Sequence, residues 1–553
     1  MNETAQTLPP RRKSWFNPWS TGAVLIALVV LGPIFAVAVM ALFPTENIWP
    51  HLIATTLPRY LGNTALLMAG VGLLAALTGT GAAWLIARYR FPLSGWLEWL
   101  LLLPLAVPAY VGAYALVDLL EYAGPVQTAL RGLFGWQSAR DYYFPEIRSM
   151  GSAIVVLAAA LYPYVYLLAR AAFHEQSGAS EEVAMSLGQG ALARLRRIGL
   201  PLARPAVAAG TAIVMMEAVN DFGTVDYFAV QTLTAGIFNT WLEGGNAGGA
   251  AQIACVVLAL VILLVTLEKA SRRKARFFNQ GGRHRPVTRK VLTGWAAAGA
   301  CVLCLIPFLV GFVLPAGTIL SHAVARADIW QQSALYAAVW NTVFVGAIAA
   351  LLTVSGGLLL VYGVRLSGRG LPRLLQPITT IGYAAPGAVL AVGILIPLAV
   401  FDNKLADVVL ALTGYDPGLL LTGTGFALVL AYFVRFFAIA QGAADAAFER
   451  VSPSLPAAAR SLGRRQGQVL REIYVPLIRG SVGSALLLVF VDCVKELPAT
   501  LLLRPFNYDT LATRVHDQAS LENLTEASPA AILIILVSLF AVILLARTNR
   551  ANF

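Results

Sequence analysis

The sequence is poor in charge. Only 12% of its 553 residues are Asp, Glu, Lys or Arg, against 58% hydrophobic residues, whereas soluble domains carry about 25% charged residues. That shortage excludes an ordinary soluble domain. The short alternating strands of a membrane barrel are also missing. In their place, apolar runs recur along the whole chain, each close to the ~20 residues a helix needs to cross hydrocarbon. Cysteine is scarce, and Cys255, Cys301, Cys304 and Cys493 all fall in apolar runs. Cys301 and Cys304 form a CxxC, which inside such a run reads as packing rather than redox or metal chemistry. His51, His174, His284, His322 and His516 lie in loops or at the edges of apolar runs, and no Ser/His/Asp set points to an enzyme. No G-x-x-x-x-G-K-[ST] occurs, so the chain has no phosphate-cradling loop of its own.

What is present is an all-α polytopic membrane protein. Hydropathy predicts twelve spans, near 21–43, 62–86, 97–118, 151–172, 205–227, 251–267, 291–319, 341–363, 376–400, 422–444, 480–502 and 529–546. They divide into a cytoplasmic tail (1–20), a first half (21–268), a basic cytoplasmic linker (269–290), a second half (291–547) and a C-terminal tail (548–553). The net charge of +12 does not point to nucleic acid. The basic residues sit mainly in short segments between apolar runs, as the positive-inside rule predicts for the cytoplasmic side of a bilayer. Arg11, Arg12 and Lys13 precede the first span, and Arg547 and Arg550 follow the last, so both termini are expected in the cytoplasm. The loops after spans 4 and 10 are rich in arginine and belong inside. The loop at 119–150 balances Arg131, Arg140 and Arg148 against Glu121, Asp141 and Glu146 and belongs outside.

The two six-span halves read as a parallel repeat. Asn63-Thr64 recurs as Asn341-Thr342, and Pro108 as Pro386, at one shared offset. A loop signature also occurs twice. The first copy is Glu182-Val183-Ala184, then Gly188, then Ile198-Gly199-Leu200-Pro201. The second is Ala457-Ala458-Ala459, then Gly463, then Ile473-Tyr474-Val475-Pro476. The spacing from glycine to isoleucine is the same in both copies. Each loop is expected to form two short helices at an angle, with a tight turn at glycine and proline opening the next helix. The protruding turn suits insertion into a groove of another protein. This pattern resembles the EAA loop of importer permeases in the ATP-binding cassette family. The resemblance implies two copies of a cytoplasmic ATPase, which carry the ATP and magnesium; no cofactor is expected in this chain. Ala457 stands where the motif's glutamate is expected, so the two contacts are expected to be unequal.

Two pairs of carboxylates lie within spans: Glu217 and Asp221 in span 5, Asp492 and Glu496 in span 11. Each pair is spaced i, i+4, and the pairs are separated by the same offset as Gly188 and Gly463. The i, i+4 spacing predicts two carboxylates on one helix face. Charge at such depth marks a polar pathway, with hard oxygens suited to transient contact with a hard cation such as ferric iron; packing between helices, with Lys495 and Arg435 as partners, is the other reading. The flanking stretches from Glu217 to Phe228 and from Lys495 to Phe506 resemble the iron(III) branch of these permeases. That resemblance implies alternating-access import of ferric iron from a periplasmic binding protein into a bacterial cytoplasm. Thiamine, phosphonate, polyamine and sulfate remain alternative cargoes. A gradient-driven secondary transporter leaves the paired loops unexplained, and a membrane scaffold leaves the paired carboxylates unexplained.

Overall fold

The computed structural model describes residues 18–44, 47–176, 178–273, 289–367, 370–380, 382 and 385–550. The basic cluster at 11–13, residues 274–288 of the linker and the last three residues lie outside the described residues. Among those described, eleven helices are long and apolar enough to cross a membrane, and twelve when one bent pair counts as a single span. Spans 1 and 2 are Pro18–Leu42 and Leu57–Arg88, and spans 4 to 6 are Met150–Glu175, Ala191–Asn220 and Ala247–Glu268. Spans 7 to 12 are Gly294–Ala325, Ser333–Leu366, Gly387–Thr413, Gly425–Glu449, Gln466–Val494 and Leu524–Leu544.

Span 3 is the bent pair, Ser94–Ala106 with Ala109–Phe134, turned by 94°. Its break is at Pro108, which is extended (φ −57, ψ 141) and sits just before the second helix. Pro386 has the same role before span 9 (φ −55, ψ 147). Proline lacks the N–H that would continue a preceding helix, yet its fixed φ suits a helix start. Both prolines therefore mark a break rather than a point inside a straight span.

The repeat is carried into hydrogen bonds. Thr64 Oγ1 accepts the Leu233 N–H at 3.0 Å, and Thr342 Oγ1 accepts the Leu511 N–H at 2.8 Å. Asn63 Nδ2 donates to the Gln231 carbonyl at 2.8 Å, and Asn341 Nδ2 to the Asp509 carbonyl at 2.9 Å. Asn63-Thr64 and Asn341-Thr342 lie in the early turns of spans 2 and 8. Each anchors a short helix, Leu233–Phe238 and Leu511–Ser520 respectively, whose N-terminal N–H groups would otherwise lack partners.

The halves do not pack as separate bodies. Span 1 lies against spans 8 and 9 of the second half as well as against span 6, with Ala27 and Val30 buried beside Leu360, Val361 and Leu390. Span 7 lies against spans 2 to 4 of the first half as well as against span 12, with Ala297, Ala300 and Cys304 buried beside span 2 and span 4 residues. Cys301 donates its S–H to the Pro92 carbonyl at 2.9 Å, and all four cysteines are free. The described end of the linker is tied to the first half: Lys290–Val291 runs parallel to Tyr89–Arg90, and the Leu292 N–H reaches the Arg90 carbonyl at 2.8 Å.

Helix pairs approach closely at glycine, as apolar surroundings favour. A Cβ at Gly79 of span 2 would stand 2.9 Å from the Tyr162 carbonyl and from the Tyr166 nitrogen of span 4. Its repeat mate Gly357 meets the Ala440–Gln441 backbone of span 10 in the same way. Nothing lies within 4 Å of a Cβ at Gly81. Gly79→Ala is therefore expected to destabilise by about 1–3 kcal/mol through overpacking against backbone, and Gly81→Ala to be neutral or slightly stabilising. Thermal unfolding of both variants in the same detergent checks this; equal midpoints would remove the close-approach argument.

Candidate functional site

Two features repeat between the halves at one common offset: a pair of exposed loops and a broken pair of helices around one cavity. In the first loop, a helix over Gly178–Ser186 ends at Gly188, whose φ of +72° places it in the left-handed region. In the second, Ser454–Ser461 ends at Gly463 with φ of +82°. The Gln189 N–H returns to the Ala184 carbonyl and the Arg464 N–H to the Ala459 carbonyl, both at 3.0 Å. This six-to-one closure around a left-handed glycine is a Schellman cap. It explains the third motif position: Ala184 and Ala459 are buried under the turn, while Glu182, Ala457 and Ala458 are exposed. Leu187 and Leu462, which precede the glycines, are 72% and 83% exposed at the loop tips. The hydropathy reading passed over them because an isolated leucine in a polar loop has no periodic partner.

The expectation that proline opens a new helix needs correction. Span 5 runs unbroken from Ala191 and span 11 from Gln466. Each passes through one wide turn, Leu195–Gly199 and Leu470–Tyr474, in which the Leu200 N–H reaches back to the Leu195 carbonyl and the Val475 N–H to the Leu470 carbonyl. A π-turn of this kind loosens the helix just ahead of Pro201 and Pro476, where the ring would crowd a regular turn. Ile198 and Ile473 are half-buried and the prolines exposed in both copies.

The helices of spans 5 and 11 end at Asn220 and Val494. Glu217 and Asp221 therefore do not share a helix face, and neither do Asp492 and Glu496. Spacing alone could not reveal the break, because the apolar run continues through it. Asp221 instead caps the next short helix, Gly223–Tyr227: its carboxylate accepts the Thr224 N–H at 2.9 Å, the Val225 N–H at 3.2 Å and the Thr224 hydroxyl at 3.0 Å. Glu496 does the same for Pro498–Leu503, accepting the Ala499 N–H at 3.1 Å.

All four carboxylates nevertheless line one cavity of about 140 Å³, between spans 3, 4, 5, 10 and 11. Arg435 and Lys495 share the wall. Arg435 Nε lies 2.9 Å from Glu496 Oε2, and Lys495 Nζ lies 2.8 Å from Asp492 Oδ1. Gly387, at the start of span 9, makes room for the first pair: a Cβ there would clash with Glu496 Oε1. Tyr110 and Asn220 also face the cavity, and the tyrosine hydroxyl and the asparagine side-chain oxygen are buried with no hydrogen-bond partner among the described residues. Neither residue was singled out by sequence, since a lone Tyr or Asn in an apolar run carries no spacing signal. Among the described residues no three His, Cys, Asp or Glu side chains converge as a metal-binding group.

Residues 75–277 match the family described as binding-protein-dependent transport system inner membrane component. Two repeated halves, spans long enough to cross a bilayer and the doubled loop accord with this similarity to inner membrane components of binding-protein-dependent transport systems. It is 26% identical over 494 residues to the Fe(3+)-transport system permease protein FbpB 2 of Haemophilus influenzae, covering 88% of this chain and 89% of that one. It is 22% identical to the putative ferric transport system permease protein FbpB 1 of the same organism, over 89% of this chain and 78% of that one. The sulfate transport system permease protein CysT of Salmonella typhimurium is 28% identical over 33% of this chain and 65% of its own length.

Glu496 is 5% exposed, so its partner is needed. Arg435→Met is expected to destabilise by about 3–5 kcal/mol, because it strands a buried carboxylate. Adding Glu496→Gln should restore most of that loss, since the amide oxygen still accepts the Ala499 N–H. Unfolding midpoints of the single and double variants decide it; a double variant as unstable as the single one would mean the pair is not the cause.

Proposed function

We propose that this chain is the membrane subunit of an ATP-driven importer that moves ferric iron from a periplasmic binding protein to the cytoplasm of a bacterium. The supporting observation is the joining of two features in one chain. Relatives named for ferric transport match nearly its full length, and its central cavity carries four carboxylates against two cationic side chains. An excess of oxygen anions favours a hard cation and repels a dianion, which weighs against the sulfate reading that the shorter relative suggests. Spans 5 and 11 flank the path, lined by Glu217, Asp221, Asp492 and Glu496. The protein sits in the inner membrane with both termini cytoplasmic, consistent with arginine-rich signature loops on that side.

Energy comes from two copies of a separate ATPase, which carry ATP and magnesium. They grip the loops at Gly188 and Gly463. Leu187 and Leu462 are apolar knobs for grooves in those partners, and the Schellman turns fix the angle at which the knobs are presented. Each stroke of the ATPase pair is passed through the wide turns into spans 5 and 11, so the loops and the cavity lie on the same continuous helices. Ile198, Pro201, Ile473 and Pro476 belong to this relay. Glu182 adds a charge to the first contact that Ala457 lacks in the second.

The test is uptake of labelled ferric iron into proteoliposomes that hold this chain, its ATPase and binding protein, with ATP inside. ATP-dependent accumulation is expected. Hydrolysis stimulated by the binding protein without iron entry would keep the importer class and discard iron. Within the same assay, Leu187→Asp with Leu462→Asp should lower uptake at least tenfold, a loss of about 1.4 kcal/mol or more, by placing charge in an apolar groove. Gly188→Val with Gly463→Val should act similarly, because β-branched residues are strained at positive φ. Unchanged uptake in both double variants would remove these loops from coupling.

A further inference from the structure

A second cavity, of about 660 Å³, lies beside the first signature loop, between the end of span 2, the start of span 5 and the linker. Its walls include Trp84, Tyr89, Gln189, Leu192, Arg194 and Lys290. No Asp or Glu is among the described residues that line it. The strand pairing sets Lys290 opposite Tyr89, so the linker adds a second cation to the wall.

Arg194 is only 6% exposed. Its Nη2 donates to the Tyr89 hydroxyl at 3.2 Å, a neutral acceptor. Its Nε has no partner, and no carboxylate pairs with it among the described residues. A buried guanidinium without counter-charge is costly, and groups kept in that state mark a place that an ion or ligand completes. Gln189 Oε1 is buried on the same cavity and also lacks a partner among the described residues, so it calls for a donor. The continuous helix of span 5 begins here. Gly190 is its N-cap and no side chain caps its first N–H groups. Those groups and the positive end of the helix dipole favour an anion.

The repeat does not require any of this. At the matching positions of the second half, Val469 replaces Arg194 and is buried, and Tyr362 replaces Trp84. The Tyr362 hydroxyl donates to the Gln466 carbonyl at 2.6 Å. Trp19 of span 1 packs edge-on against Tyr362, with ring centroids 5.1 Å apart, and reaches to Gly467. Gln468 meets the Arg465 N–H at the start of span 11. The second-half place is thus apolar, capped and filled. Trp295, near the start of span 7, is 94% exposed and does not line the first-half cavity.

We propose that this cavity binds a phosphate group that carries a hydroxylated substituent. The phosphate lies against Arg194, Lys290 and the start of span 5, in charge-assisted hydrogen bonds. A hydroxyl of the ligand donates to Gln189 Oε1, and Trp84 and Leu192 supply apolar wall. Two sources share this chemistry: a small phosphate ester, and the headgroup of an anionic phospholipid such as phosphatidylglycerol, which basic pockets between membrane helices accept. The site joins the first loop to the linker and has no counterpart in the second half.

The experiment follows thermal unfolding of the full chain in dodecyl maltoside, which carries no phosphate. Glycerol 3-phosphate is titrated in one arm, against sodium chloride at equal ionic strength. Phosphatidylglycerol is titrated in the other, against phosphatidylcholine. A ligand that binds only the folded chain raises the midpoint saturably, and at least one arm is expected to do so beyond its control. A rise with the soluble ester assigns the site to a small phosphate, and a rise with phosphatidylglycerol alone assigns it to lipid. Arg194→Met should weaken the apparent affinity by roughly tenfold or more, and Gln189→Leu by roughly threefold, as expected for a charged and a neutral hydrogen bond. Gln189→Leu serves if Arg194→Met does not fold. The proposal is overturned if neither arm exceeds its control, or if the rise is the same in the variants as in the wild type. The measurement needs neither cargo nor ATPase, so its outcome is separate from that of the iron uptake assay.

Discussion

A helix that stops inside an apolar layer and gives way to another leaves carbonyls at its end and N–H groups at the start of the next helix with no water to meet them, and each one left unsatisfied costs several kcal/mol. Spans 5 and 11 both stop this way, at Asn220 and Val494. The structure meets the cost with a carboxylate at each break, Asp221 and Glu496, which accept the first N–H groups of the next short helix. That choice governs much of what surrounds it. A buried carboxylate needs charge or dipoles nearby, and so Arg435 reaches Glu496 and Gly387 gives up its side chain to let them meet. The cavity is the polar space left where the two breaks face one another.

The breaks also set the path of force. Below each one, the helix runs without interruption to the exposed loop, through a wide turn that accommodates Pro201 or Pro476. Each of the Gly188 and Gly463 turns is thus joined to the cavity wall by one continuous helix. Crossing of spans 1 and 7 onto the opposite halves resists a simple separation of the halves, because each half holds a helix of the other. Under the importer reading proposed above, motion would be rotation of spans 5 and 11 within a frame that spans 1 and 7 keep together.

Much of this was legible in the sequence, and the parts that were not share a cause. Membrane helices were readable because length and apolarity are set by bilayer thickness, and the repeat because Asn63-Thr64 and Asn341-Thr342 anchor the same hydrogen bonds. The glycine turns were readable because glycine adopts the positive φ seen at Gly188 and Gly463 at low cost. Breaks were not. Hydropathy runs smoothly through Asn220–Phe222 and Lys495–Pro498, so i, i+4 spacing suggested a shared helix face that the chain does not form. Tyr110, Asn220, Leu187 and Leu462 were missed because their significance lies in what surrounds them, either an orphaned oxygen in a cavity or an apolar side chain at a loop tip.

Fusion of the halves gives this architecture a freedom that a pair of identical subunits lacks. In a symmetric dimer, the position of Arg435 and that of Ala160 would be one residue, and so would those of Lys495 and Asn220. Every carboxylate at the breaks would then be matched by a cation, or none would. A dimer with arginine and lysine in both copies would hold a neutral cavity indifferent to cations, and one with alanine and asparagine in both would bury four carboxylates with no opposing charge, at severe cost. One chain carrying both halves can set two cations against four carboxylates in a single cavity, which neither symmetric arrangement allows. The same freedom lets Ala457 differ from Glu182, its mate in the other loop.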